Sequence, residues 1–227
     1  MNVAHDLDAG SAIAPQLYQL LRGRIVRTEL LPGEVISETE IARAYDVSRQ
    51  PVREAFIKLA EAGLVQIRPQ RGTMITRITE SAVMDARFVR EAIEADVVRL
   101  VAETCDEAMR RELQDQMSAQ KRMAVDDNEA FVRLDELFHR TLAEMAGKPY
   151  AWRVVEDVKA QMDRVRYLSV QKDHIRVLIV QHVRIVDAIA QNDVAGAEAA
   201  IRAHLREILK SMPEVAKSRP ELFNSVR

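Results

Sequence analysis

From residue 73 to residue 212 the chain contains only two glycines, Gly147 and Gly196, and one proline, Pro149. A stretch of that length with so few breakers, rich in Ala, Leu, Val, Arg and Glu, resolves into consecutive helices. Candidate breaks fall at 104–106, 126–128, 147–149, 171–173 and 191–193, several with Asp or Asn placed to cap the next helix. About six helices are expected, over 80–103, 106–124, 127–146, 149–171, 174–191 and 194–213. Their short connections predict an all-helical antiparallel bundle.

The first third is punctuated differently, by Leu31-Pro32-Gly33 and by Pro69 to Gly72. Leu17, Leu20, Leu21 and Ile25 give helical spacing over about Ile13 to Thr28. Ser37 and Glu40 form a capping box for a short second helix. Ser48 is placed to cap a third, with Pro51 in its first turn and Val52, Ala55, Phe56, Leu59 and Ala60 as its buried stripe. Leu64 to Ile67 and Thr73 to Thr76 alternate like two strands around a turn. This order is the layout of a winged helix-turn-helix over 13–78. The fold class is therefore mainly α, with a helical domain at 79–213, a disordered tail at 1–12 and a C-terminal tail at 214–227.

Net charge is −2, so contact with DNA must come from locally placed basic residues rather than from overall attraction. No apolar run reaches membrane-spanning length, and no secretory signal opens the chain. The single Cys105 forms no intrachain disulfide and suits a reducing cytoplasm. At the start of the third helix, Arg49, Gln50 and Arg53 are the side chains a recognition helix turns toward base edges, Arg to guanine and Gln to adenine. Ser48 and Thr39 are candidate phosphate contacts, and Arg71-Gly72 at the wing tip suits the backbone or minor groove.

Polar residues interrupt the apolar faces of the helical part. Asp135 and His139 lie on the face of Phe131, Phe138 and Leu142; His182 lies within the stripe of Ile175, Leu178, Ile185 and Ile189; His204 lies within that of Ile201 and Leu205. Burying four such groups is costly unless they are partnered. Two readings stand: separately satisfied core histidines, or one shared site whose carboxylate oxygen and three imidazole nitrogens suit Zn²⁺, Ni²⁺ or Mn²⁺, with Zn²⁺ foremost.

The run from Leu31 to Glu38, the run from Val47 to Ala55, the segment Glu61-Ala62-Gly63-Leu64-Val65, and Arg71-Gly72 resemble the DNA-binding domain of the GntR family. The resemblance implies that Arg49 and Arg53 read DNA and that the wing tip enters the minor groove. Fatty-acid-responsive members carry Arg where this chain has Thr39, which implies a different operator contact. Residues 80–210 are similar to the FCD effector domain of the FadR subfamily, through Arg90-Glu91-Ala92-Ile93-Glu94, Asp135 with His139, His182 to Asp193, and His204-Leu205. That resemblance implies a metal on Asp135, His139, His182 and His204, with a small carboxylate effector binding it directly. Arg90, Arg164 and Arg166 are candidate partners for the anion, and His174 is at most a pocket neighbour. The expected molecule is a homodimeric, cytoplasmic, ligand-responsive repressor on a palindromic operator, not an enzyme. The alternatives are a regulator with a purely structural metal and a metal-dependent hydrolase, which lacks an evident general base.

Overall fold

The computed structural model describes residues 7, 8, 10–123, 127–169 and 172–224. Most of the expected N-terminal tail, residues 1–6 and 9, therefore lies outside the described residues, as do the breaks expected at Asp126 and Gln171. The chain forms two compact units: one runs to Glu80 and resumes at Ser218, and the other is Ser81–Lys217.

In the first unit α1 (Ile13–Val26) buries Leu17, Leu21 and Ile25, and packs against α3 (Arg49–Glu61). Between them, α2 (Glu38–Ala44) is opened by the expected capping box: the Ser37 hydroxyl accepts from the Glu40 amide at 3.1 Å, and the Glu40 carboxylate accepts from the Ser37 amide at 3.2 Å. Ser48 does stand at the N-cap of α3, but its side chain makes no cap bond. The wing consists of β2 (Val65–Arg68) and β3 (Gly72–Ile75), antiparallel, with Arg68 opposite Gly72. A third strand, β1 (Val35–Ile36), pairs with the other edge of β3. Two residues are too few to show alternation, so this strand was not legible in the sequence. Gly72 is fixed by geometry. Its φ is +82°, and a Cβ there would lie 2.6 Å from Val35 Cγ1.

The end of the chain completes this unit. After α11 (Ile208–Ser218) and one 3-10 turn at Pro220–Leu222, the backbone pairs in parallel with Ile78. The Ile78 amide donates to Leu222 O at 2.8 Å, the Asn224 amide donates to Ile78 O at 3.0 Å, and Leu222, Phe223 and Ile78 are buried. The expected tail over 214–227 is thus corrected as far as residue 224. Pro213 lies inside α11, where a proline costs about 3 kcal/mol. Buried Ile208, Met212 and Val215 hold the helical spacing around it.

The second unit is helical throughout its named elements: α4 (Glu80–Thr104), α5 (Glu107–Arg122), α6 (Asn128–Met145), α7 (Pro149–Val158), α8 (Ala160–Ser169), α9 (Lys172–Ala190), α10 (Val194–Leu205) and most of α11. Two of the six expected helices are broken, one at Lys159 and one at Arg206-Glu207. Neither break carries Gly or Pro, so composition gave no sign of them. Val98, Val101, Phe138, Leu142, Val155, Ile185, Ile189 and Ile201 form the main core, and Phe131, Ile175 and Leu178 a smaller one.

Candidate functional site

Asp135 and His139 are one turn apart on α6, His182 is midway along α9, and His204 is the penultimate residue of α10. Asp127 caps α6 and Asp193 caps α10, each accepting a backbone N–H at 2.8 and 2.9 Å respectively. All four side chains are buried, and their ligand atoms lie within 4.8 Å of one another. His204 Nε2 is 3.2 Å from His139 Nε2 and 3.4 Å from His182 Nε2, while Asp135 Oδ1 is 3.3 Å from His182 Nε2.

The opposite ring nitrogens decide what those atoms are. His182 Nδ1 meets Gln120 Oε1 at 2.8 Å, and His204 Nδ1 meets Gln181 Oε1 at 3.0 Å. The amide orientations follow from their other bonds: Gln120 Nε2 donates to Leu134 O and Gln181 Nε2 donates to the Glu207 carboxylate. Both Oε1 atoms are acceptors, so both Nδ1 atoms carry the proton and both Nε2 atoms present lone pairs. His139 Nδ1 lies 2.5 Å from Glu94 Oε2, which selects the same tautomer. Three nitrogen lone pairs and a carboxylate oxygen thus face one point. Such a donor set could hold a metal ion, and outer acceptors of this kind orient metal-binding imidazoles.

The electrostatics agree. Burial pushes His182 down to about 4 and His204 well below the usual range, so both are neutral ligands at neutral pH. Burial works to raise the Asp135 carboxyl, but Arg166, His182 and His139 outweigh it and hold it well below its usual range. Burial likewise opposes ionisation of Glu94, yet Arg90 and His139 bring it down to about 2.

The three expected anion partners separate. Arg166 Nη2 donates to Asp135 Oδ1 at 2.5 Å and lines a cavity of about 20 Å³ with Arg90, Phe131, Val132, Lys159 and Asp163. Arg90 is buried and committed to Glu94, with Nε to Oε1 at 2.5 Å and Nη2 to Oε2 at 3.3 Å. Arg164 is fully buried, donates to Gln161 Oε1 at 3.3 Å, and does not line that cavity. His174 lines a smaller cavity with Arg166 and His204. Sequence reasoning pairs Glu94 with a neighbouring Arg, as found at Arg90, but missed its contact with His139 and the roles of Gln120 and Gln181. Their helical spacing marks them as inward-facing, but nothing local pairs them with a particular histidine. Glu94→Gln is expected to weaken metal affinity by ~10–100-fold while leaving the helices intact, as read by competition with a chelating dye and by circular dichroism.

In the first unit Arg49, Gln50 and Arg53 are exposed at the start of α3, with Ser48 just before them and Thr39 exposed on α2. Arg71 is exposed in the β2–β3 turn beside Gly72. Arg49 and Arg53 both donate to Glu38, and Gln50 donates to Glu54 at 3.0 Å. Among the described residues no helix is long and apolar enough to cross a membrane.

Comparison with known proteins places these features. Residues 13–75 match the model for bacterial regulatory proteins of the gntR family, and residues 85–207 match the FCD domain. The chain is 38% identical to the HTH-type transcriptional repressor RspR of Escherichia coli (strain K12) over 99% of both chains. It is 30% identical to the HTH-type transcriptional repressor NanR of Citrobacter rodentium over 86% of this chain and 82% of that one. In fold it is similar to E. coli McbR/YncC, with TM-score 0.76 at 17% identity over 92% of this chain and 99% of that one.

Proposed function

This chain belongs to the GntR family of bacterial transcription regulators and carries an FCD effector domain, and from that premise we propose that it is a repressor sensing a small organic acid through a divalent metal ion. Asp135, His139, His182 and His204 would hold the ion. The observation that carries this reading is the convergence of three Nε2 atoms whose Nδ1 partners fix the tautomer. When bound, the ion supplies a Lewis-acidic anchor for an anion, and its donor set suits Zn²⁺, with Ni²⁺ or Mn²⁺ as further candidates.

The chain's own residues do the rest. Arg166, already within reach of Asp135, is the guanidinium best placed for the free end of the acid, with Arg90 securing Glu94 behind His139. The cavity beside Asp135 has room for about one water. An organic acid therefore enters only if the wall moves, and that wall includes Lys159 at the break between α7 and α8. Lys159 is held there by Asp163 at 2.7 Å and Glu136 at 3.1 Å. Ligand binding coupled to such a movement is what biases a regulator between two arrangements. Glu94 is engaged with both His139 and Arg90, and the carboxylates of Glu136 and Asp163, which line the cavity, with Lys159.

In the DNA-binding unit Arg49, Gln50 and Arg53 would read bases, Thr39 and Ser48 phosphates, and Arg71-Gly72 the minor groove. A homodimer on a palindromic operator matches this geometry to two half-sites. The repressor direction is taken from the names of the relatives RspR and NanR.

The test is a thermal-shift panel of sugar acids, dicarboxylates and hydroxy acids on Zn²⁺-loaded protein. A true effector at a hundredfold excess over its Kd adds ~2.7 kcal/mol, several degrees for a chain of this size. The shift should vanish in Arg166→Ala and after chelation. A shift that persists in folded, metal-stripped protein removes the metal as anchor. A metal whose loss unfolds the domain, with no responding acid, leaves it a structural ion.

A further inference from the structure

We infer that Glu38 is a positioning residue for DNA reading: it holds the side edge of the Arg53 guanidinium, and one amino group of Arg49, so that the end edge of Arg53 faces a base. This rests on the assignment of Arg49 and Arg53 as base readers.

Glu38 is the first residue of α2, at a helix start already fixed by the Ser37–Glu40 capping box. Its carboxylate spans to α3. Arg53 Nε donates to Oε1 at 3.0 Å and Arg53 Nη2 to Oε2 at 3.1 Å, while Arg49 Nη2 donates to Oε2 at 2.8 Å. Glu38 is 23% exposed, whereas Arg53 and Arg49 are 54% and 61% exposed. The acid is therefore set back, with the two guanidinium groups in front of it.

A guanidinium has five N–H donors. The carboxylate takes Nε–H and one hydrogen of Nη2 from Arg53. What remains is the second hydrogen of Nη2 and the pair on Nη1, the edge that can donate twice to guanine O6 and N7. A free arginine must give up side-chain rotamer freedom when it docks, whereas a held one has already done so. Arg53 and then Arg49 hold the Glu38 carboxyl below its usual range, so it is charged at neutral pH. A carboxylate on a surface that meets phosphates is unfavourable alone, and exposed ion pairs add little to stability. Its contribution is to specificity.

The experiment uses full-length protein, the duplex that wild type selects from a random library, and a mixed-sequence duplex of equal length. Glu38→Gln should lower affinity for the selected duplex about tenfold, raise affinity for the mixed one a few-fold, and steepen the salt dependence of the latter. Opposite signs are the signature, because a folding defect lowers both affinities and simple repulsion of phosphate, once relieved, raises both. Either parallel outcome overturns the inference. In an Arg49→Ala/Arg53→Ala background Glu38→Gln should no longer lower affinity for the selected duplex, since both groups it positions are gone. An additive loss there also overturns it. If Arg49→Ala and Arg53→Ala leave the selected sequence unchanged, the base-reader assignment fails first, and that result is distinguishable from a failure at Glu38 alone.

Discussion

Replacing His182 or His204 with alanine is expected to strip the divalent ion from the purified protein. Wild type should carry about one ion per chain by elemental analysis, and each variant should lose more affinity than the ~10–100-fold typical of an outer hydrogen-bond partner. The two histidines come from α9 and α10, so removing one leaves a ligand set that no longer surrounds the point where the nitrogens meet. Acid should act in the same direction. His182 resists protonation in the folded chain down to about 4, against the ordinary histidine value of 6.5. Below pH 6.5 the unfolded chain therefore holds more protons, so the stability of metal-stripped protein is greatest above that value and falls as the pH drops toward 4. Protons also compete with the ion for Nε2. A His182→Ala/His204→Ala double variant that still holds a full complement of metal would eliminate the site.

The second large effect concerns DNA. Arg49→Ala and Arg53→Ala should each cost ~1–3 kcal/mol of specific binding and relax the preference at the base pair read. Both side chains share Glu38, so the losses should not add. Arg49→Ala leaves the two bonds from Arg53 to Glu38 in place, whereas Arg53→Ala leaves Glu38 to Arg49 alone. Arg71→Ala should instead weaken all sequences alike and lower the salt slope by about one. Fluorescence anisotropy on the operator and on single-mismatch duplexes, at several salt concentrations, separates these patterns. Three variants indistinguishable from wild type would refute the reading face.

The order of helices and wing was legible because periodicity and punctuation are local. Leu17, Leu21 and Ile25 announce α1, and Ser37 with Glu40 announces the start of α2. That Asp135, His139, His182 and His204 interrupt apolar faces was legible and left two readings, separate core histidines or one shared site; the resemblance implied the shared site, and the structure groups the four. Long-range partnership was not legible. Gln120 serves His182 from 62 residues away, and Gln181 serves His204 from 23 residues away. The break at Lys159 was not legible either, because no Gly or Pro marks it.

The pairing of Ile78 with residues 222–224 brings the chain back into the unit where it began. The FCD unit leaves the DNA-binding unit at Ser81 and comes back at Lys217, so it is threaded as a closed ring and not as a bead at the end of a string. One protease nick near residue 80 leaves the two units joined through the other strand of the ring. Complete separation takes two nicks. Truncating after Lys217 removes the buried Leu222 and Phe223 from the DNA-binding unit and leaves the FCD unit's own residues whole. A fluorophore placed near residue 221 accordingly reports on the part that reads DNA, although by sequence it adjoins the helix that follows His204.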